Sequence, residues 1–131
     1  MKKLFLLLAS YTITFADICS LDFVKQELDA NNNLEQFSTA EVKDLGVKCE
    51  GNILTYDYMY NEPYSSQISQ GTRQQRDATE KFMQNLVMAS YCNMPEFEPY
   101  RQNNVELIYN YLSTSKELLF KVSVKNSDCK K

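Results

Sequence analysis

Alternating apolar and polar positions predict two β-strands in the first half of the chain. The clearer strand runs from Ile53 to Tyr60 and places every second residue on one face: Leu54, Tyr56, Tyr58 and Tyr60. A less even alternation from Val42 to Cys49 predicts the strand before it. The turn residues Glu50-Gly51-Asn52 lie between them, so we expect the two strands to form a hairpin.

A second pair of alternating segments lies near the end of the chain. Val105 to Leu112 and Leu118 to Lys125 carry apolar side chains at every second position. The polar stretch from Ser113 to Lys116 separates them. This arrangement predicts a second hairpin.

Apolar residues at helical spacing predict two helices. The first is short, with apolar positions at Ile18, Leu21, Val24 and Leu28, and we expect a further turn from Leu34 to Phe37. The second begins at Thr72 and ends near Cys92, ahead of Pro95 and Pro99. The stripe of this long helix that we expect to face the core consists of Ala78, Phe82, Leu86 and Ala89, with Met83, Val87 and Tyr91 beside them.

These elements predict an α+β fold in the order helix, strand, strand, helix, strand, strand. We expect a four-stranded antiparallel sheet packed by the long helix and by the short N-terminal helix. The polar segment from Glu62 to Gly71 is interpreted as a connection on the surface. Gln84 and the charged residues of the long helix are expected to face solvent.

The first residues have the pattern of a secretory signal peptide. Lys2 and Lys3 supply the positive end, Leu4 to Ala9 the apolar run, and Thr14-Phe15-Ala16 a cleavage site. The apolar run is shorter than the roughly 20 residues that span a bilayer. We therefore predict a signal peptide at 1–16 and a single α+β domain at 17–131, periplasmic or secreted from a bacterium.

A lipid anchor is not expected. Acylation of a bacterial lipoprotein requires a small residue directly before the modified cysteine, whereas Cys19 follows Ile18 and lies beyond the predicted cleavage site at Ala16. The mature chain is therefore predicted to be soluble and to have no stable membrane anchor.

The charge of the chain argues against two classes of partner. It has 14 Lys and Arg against 17 Asp and Glu, a net charge of −3, and the loss of Lys2 and Lys3 with the leader would leave −5. Binding of nucleic acid depends on neutralising phosphates with basic side chains, and an anionic membrane surface would repel this chain. We expect neither partner.

The four cysteines are expected to form two disulfides in the oxidising compartment, and these are Cys19, Cys49, Cys92 and Cys129. Zinc binding is the alternative, but the chain has no histidine and no closely spaced cysteine pair. Three full pairings are possible. The second hairpin would bring Cys129 back towards the end of the long helix, which favours its pairing with Cys92 and leaves Cys19 for Cys49.

No catalytic or cofactor motif stands out. The absence of histidine excludes Ser-His and Cys-His nucleophiles, and the three glycines are too isolated to form a phosphate loop. The best carboxylate pair, Glu96 and Glu98, lies in a segment bounded by prolines and is expected to be solvated. We expect no catalytic residues, no cofactor and no metal ion.

Tyrosines are concentrated on the predicted strands. Aromatic side chains suit a half-buried sheet surface, and stacking on a sugar is an alternative use. Aromatic residues are also enriched at protein interfaces. We predict five partner-binding residues: Tyr56, Tyr58, Tyr60, Tyr109 and Tyr111.

The last third of the chain carries a family resemblance. The long helix ends in Tyr91-Cys92-Asn93-Met94-Pro95-Glu96, then come Asn103-Asn104-Val105, the strand Leu107 to Tyr111, and Ser127-Asp128-Cys129. This layout resembles that of small exported bacterial proteins, including the disulfide-bonded α/β pilotins of type II secretion. The resemblance implies the pairing of Cys92 with Cys129. It also implies the pilotin role, in which the pilotin escorts an outer-membrane secretin by holding a helix from the C-terminal region of that secretin.

The leading functional prediction is an exported accessory protein that binds another protein, in a secretion or envelope machine. Binding is expected in the groove between the sheet and the long helix, or along an exposed sheet edge. The alternative is an inhibitor or immunity protein against a periplasmic toxin or hydrolase, because an acidic chain suits basic targets.

Overall fold

A computed structural model describes residues 17–32 and 38–129. Its strands form one four-stranded sheet in the order β1-β2-β3-β4. The two outer pairs, β1 with β2 and β3 with β4, are antiparallel hairpins, as predicted. The strands are β1 (Val42–Glu50), β2 (Ile53–Tyr60), β3 (Glu106–Leu112) and β4 (Leu118–Val124).

The sheet is mixed, so the prediction of a purely antiparallel sheet is wrong. The central strands β2 and β3 are parallel, with Ile53 opposite Glu106 and Tyr58 opposite Tyr111. The connection between them returns the chain to the starting end of β2, where the N–H of Glu106 donates to the carbonyl of Asn52 at 2.8 Å. Such a crossover joins parallel strands, whereas a short turn would join antiparallel ones.

Four α-helices surround the sheet in the described ranges: α1 (Asp22–Asn32), α2 (Tyr64–Ser69), α3 (Arg73–Asn93) and α4 (Glu98–Gln102). Short 3-10 turns are formed by Ile18–Ser20, Pro95–Phe97 and Asn126–Cys129. The predicted signal peptide at 1–16 and the expected turn from Leu34 to Phe37 lie outside the described residues. The helix α2 lies within the segment 62–71, for which the sequence predicts only a surface connection. The carboxylate of Glu62 accepts from the N–H of Ser66 in the first turn of this helix.

The long helix α3 is fixed at both ends. At its start Thr72 and Gln75 form a reciprocal capping box, each side chain accepting from the other's backbone N–H. At its end the guanidinium of Arg101 donates to the carbonyls of Tyr91 and Met94. These bonds satisfy carbonyls that the end of a helix leaves unpaired.

One face of the sheet carries the core. The helix α1 packs over β1 and β2, and α3 packs over β4. The largest side chains that are completely buried come from both helices, from the loop before β3 and from three strands: Val24, Leu54, Tyr91, Val105, Leu107, Val122 and Val124.

The predicted core stripe of α3 is wrong in its orientation. Phe82 and Leu86 point to solvent, while Tyr91 is fully buried and Met83 and Val87 are half-buried. Gln84, expected to be solvated, instead bonds to the backbone of β4. The helix is therefore rotated relative to the prediction, which leaves apolar side chains uncovered.

All four cysteines are paired. Cys19 joins Cys49 across 30 residues and Cys92 joins Cys129 across 37 residues, the pairing favoured from the sequence. The first disulfide fastens the turn before α1 to β1. The second fastens the end of α3 to the turn that follows β4.

Candidate partner-binding groove

The five predicted tyrosines lie on the core face of the two central strands and stack on each other. We call this set, Tyr56, Tyr58, Tyr60, Tyr109 and Tyr111, the tyrosine ladder. Tyr109 stacks on Tyr56 and Tyr58 with ring centroids 4.9 and 6.3 Å apart. Tyr111 stacks on Tyr58 and Tyr60 at 5.5 and 5.8 Å. The parallel register of β2 and β3 aligns the two rows of rings, because residues opposite each other share a face.

The ladder is not uniformly accessible. Tyr56 and Tyr111 are only 6% and 8% exposed, so they are part of the core. Tyr58, Tyr60 and Tyr109 are half-buried and retain surface that a partner could touch. Burial raises the pKa of every member above its ordinary value, for Tyr111 to about 12. The ladder therefore presents neutral hydroxyls at physiological pH.

A single carboxylate links the ladder to two helices. Glu27 of α1 accepts hydrogen bonds from the hydroxyls of Tyr56 and Tyr100, each at 3.1 Å. The amide of Asn31 donates to the same side chain at 2.5 Å. Hydrogen bonds to a charged acceptor are stronger than neutral ones. Glu27 thus holds α1, β2 and α4 in a fixed arrangement beside the ladder.

A largely apolar groove of about 340 Å³ lies between α3 and the sheet. We call it the α3 groove, and its lining residues are Leu86, Val87, Ser90, Tyr91, Met94, Phe97, Leu107 and Tyr109. Tyr109 is the member of the tyrosine ladder that enters this lining. The groove lies in one of the two places where binding is predicted from the sequence, between the sheet and the long helix.

The outer side of α3 extends this apolar surface. Phe82 and Leu86, one turn apart on α3, are 66% and 51% exposed, and Met94, directly after the end of the helix, is 44% exposed. Exposed apolar side chains that cluster in this way are typical of a binding surface. The sequence interpretation placed Phe82 and Leu86 in the core and did not consider Met94 and Phe97 as binding residues. The apolar stripe of α3 is wider than the sheet covers. This width is the sequence signal that could have indicated exposed apolar residues on the helix.

Each edge strand of the sheet has the backbone of one residue occupied by a side-chain carboxamide. On β1 the carboxamide of Asn32 donates to the carbonyl of Val47 at 3.2 Å and accepts from its N–H at 3.0 Å. On β4 the carboxamide of Gln84 makes the same pair of bonds with Ser123. Each amide occupies the backbone groups that an added strand would use. Recognition by strand addition, the second predicted mode, is therefore disfavoured at both positions.

The remaining candidates for a catalytic or metal-binding site are two exposed glutamates and a group near the first disulfide. Glu96 and Glu98 are exposed and Glu98 accepts from Gln102 at 3.2 Å. Asp17 lies close to the sulfurs of Cys19 and Cys49, but these two sulfurs are bonded to each other and so provide no thiolate ligands. Across the described ranges, no helix has both the length and the apolar character needed to cross a membrane.

The fold is similar to that of three proteins of known structure. A protein of Pseudomonas aeruginosa described as secreted matches with a TM-score of 0.60 at 12% identity, over 81% of this chain and 88% of its own. The pilotin EpsS of the Vibrio vulnificus type 2 secretion system matches with a TM-score of 0.51 at 13% identity, over 82% and 94%. The type II secretion pilotin AspS of Vibrio cholerae matches with a TM-score of 0.52 at 12% identity, over 79% and 86%.

These likenesses confirm the predicted resemblance at the level of the fold. No family model matches the sequence, and no curated protein matches it. At 12–13% identity the side chains of the groove are not expected to be shared.

Proposed function

We propose that this chain is an exported accessory protein of a secretion or envelope machine, which binds another protein and has no catalytic role. The observation that carries the proposal is the α3 groove with its exposed apolar rim. Clusters of exposed large apolar side chains typically mark a surface that a partner covers. Phe82, Leu86 and Met94 form such a cluster. The fold shared with a secreted protein and two type II secretion pilotins supports the same class of function.

The partner is proposed to enter the α3 groove as an amphipathic helix. A helix buries side chains at positions i, i+3, i+4 and i+7 in such a groove and keeps its own backbone bonds. The alternative, an added strand, would need the free backbone of a sheet edge. Asn32 and Gln84 already occupy backbone groups on the two edges. The helical mode is therefore the better fit to this surface.

Within the tyrosine ladder the proposed roles differ by exposure. Tyr109 would contact the partner directly because it lines the groove, and Tyr58 and Tyr60 would extend the contact along the sheet. Tyr56 and Tyr111 would not contact the partner, because they are almost fully buried. They would instead support the exposed tyrosines by stacking against them. An aromatic interface of this kind combines a large contact area with a polar hydroxyl.

The compartment is also part of the proposal. Two disulfides and the predicted leader at 1–16 fit an oxidising location such as the periplasm. A partner that meets this chain there would belong to the cell envelope or to the export machinery.

Site-specific crosslinking in the native cell tests the proposal. A photoreactive benzoylphenylalanine at Leu86 would lie on the rim of the α3 groove, while the same residue at Lys121 would lie on the opposite sheet face. We expect one protein adduct at position 86 that is absent at position 121, with the crosslink mapped to a helical segment of a secretion or envelope component. Equal labelling at both positions, or none at 86, would contradict the groove as the interface. If the crosslinked protein is a hydrolase or a toxin, the accessory role is wrong and the inhibitor or immunity role is supported.

A further inference from the structure

The lysines of the strands all lie on one face of the sheet. Lys43, Lys48 and Lys121 lie opposite Met59, Thr55 and Asn110, which places all three lysines on the face away from the tyrosine ladder. Lys48 forms an ion pair with Asp57 at 3.7 Å, and this pair also lies on the far face. The strands therefore carry no lysine on the face that bears the ladder and the α3 groove.

Carboxylates border the face that bears the ladder on the side of α1 and β1, whereas Arg73 and Arg76 lie near Phe120 on the β4 side. Asp44 lies directly opposite Tyr58, and Glu27 bonds to Tyr56. Glu41 lies at the end of β2 next to the ladder, since its carbonyl accepts from the N–H of Asn61 at 2.8 Å, one residue after Tyr60.

Another pair of acids adjoins lining residues of the groove in the chain. Glu96 lies in the chain between Met94 and Phe97, two lining residues of the α3 groove, and Glu98 follows directly. Both side chains are exposed. The nearby Arg101 is engaged with the carbonyls of Tyr91 and Met94. Within the described residues, no lysine or arginine forms an ion pair with any of these border carboxylates.

We propose that the segment held in the α3 groove is cationic as well as amphipathic: an apolar helical stripe flanked by lysine or arginine side chains. This inference rests on the proposed function and adds the chemistry of the partner to it. Apolar side chains would bury against Leu86, Met94 and Phe97. The flanking cations would meet the border carboxylates.

Two designed peptides test this pairing. Both would be about 18 residues long, long enough to form helix, and share one leucine stripe. One would carry lysines on the flanks of the stripe and the other glutamates. Binding to the full mature chain would be followed by fluorescence anisotropy of the labelled peptides. Because each exposed charge pair contributes only modestly, we expect the lysine peptide to bind about tenfold tighter than the glutamate peptide. The difference should shrink between about 50 mM and about 500 mM NaCl.

Matched variants assign the effect to the border carboxylates. The test variant combines Glu41→Gln, Glu96→Gln and Glu98→Gln, all at exposed positions. The control removes the same charge elsewhere through Glu50→Gln, Glu106→Gln and Glu117→Gln, with Glu50 and Glu106 on the far sheet face. The test variant should lose the preference for the lysine peptide and the control should keep it.

The outcomes separate the inference from the proposed function. If both peptides bind equally well and Leu86→Glu removes both, the groove binds helices but the cationic preference is wrong. A preference for the glutamate peptide, or an equal loss in test and control variants, would also overturn the inference. If neither peptide binds, the inference and the helix-binding function fail together.

Discussion

The carboxamide of Gln84 bonds to both backbone polar groups of Ser123, donating to its carbonyl at 2.6 Å and accepting from its N–H at 3.2 Å. Gln84 lies on α3 and Ser123 on the outer strand β4. The side chain thereby takes the place of a neighbouring strand at this point. It also ties α3 to the edge of the sheet, together with the buried Tyr91 and the disulfide at Cys92, while Phe82 and Leu86 of the same helix remain exposed.

Removing this amide should destabilise the fold. We expect Gln84→Ala to lower the free energy of unfolding by about 1–2 kcal/mol, because it leaves two backbone groups of β4 without partners. Urea denaturation followed by circular dichroism measures the change. Gln74→Ala is the matched control, since Gln74 is exposed on the same helix. A similar loss in both variants would mean that the bonds to Ser123 contribute nothing beyond helix propensity.

Two glycines offer a matched comparison at the other edge. Gly46 has φ +107° and a Cβ there would lie 2.7 Å from Oδ1 of Asn32, whereas Gly51 has φ +61° and open space around it. We expect Gly51→Ala to cost about 1 kcal/mol from its backbone conformation alone. Gly46→Ala should cost more, about 2–3 kcal/mol, because strain and the displaced amide of Asn32 add together. Thermal or urea unfolding of the two variants checks the order, and an equal cost would argue against the contact with Asn32.

The buried tyrosines predict a loss of stability in alkaline solution. Burial raises the pKa of Tyr111 from 10.0 to about 12 in the folded state. As the pH rises, the unfolded chain loses the phenolic proton of Tyr111 before the folded chain does. The contribution of this group to the free energy of unfolding is therefore complete below about pH 10 and falls as the pH rises towards about 12. Urea midpoints measured across this range should decline. Tyr111→Phe should decline less steeply, and identical slopes in both proteins would contradict the assignment.

The second disulfide should be essential for a stable fold. Replacing Cys92 and Cys129 together by alanine opens a loop of 37 residues, for which chain entropy predicts a loss of about 4 kcal/mol. Unfolding midpoints of this variant and of the Cys19→Ala, Cys49→Ala variant can be compared directly. The intact mass of the mature chain without reductant should correspond to two disulfides, and four free thiols would contradict the pairing.

The local elements could be predicted from the sequence because their signals are local. The alternation of Leu54, Tyr56, Tyr58 and Tyr60 predicts β2 and its inner face, and Gly51 marks the hairpin turn. The relation between the two hairpins has no such local signal. Whether β3 runs parallel or antiparallel to β2 depends on where the intervening helices return the chain, which is a property of their packing.

The site was harder to predict than the fold. The sequence predicts the tyrosines as partner-binding residues, and this stays a prediction. Their exposure differs, with Tyr109 in the groove and Tyr56 in the core. The rim residues Phe82 and Leu86 were assigned to the core because apolar periodicity does not distinguish a buried helix face from an uncovered one. In the observed orientation of α3, Gln84 bonds to the edge of β4. The sequence does not show that the partner of this polar side chain is the backbone of an edge strand.

The crossover between β2 and β3 has a consequence for how an exported chain would fold. The parallel pair joins Ile53 to Glu106, so the first hairpin can form from nearby residues while the inner side of β2 still has no neighbour. That side offers a full row of unpaired backbone groups for as long as residues 106–112 are missing. A chain entering its compartment from the N-terminus would pass through this stage every time. A chaperone that recognises exposed strands would have its natural target in Ile53 to Tyr60, a segment that the finished sheet conceals completely between its neighbours.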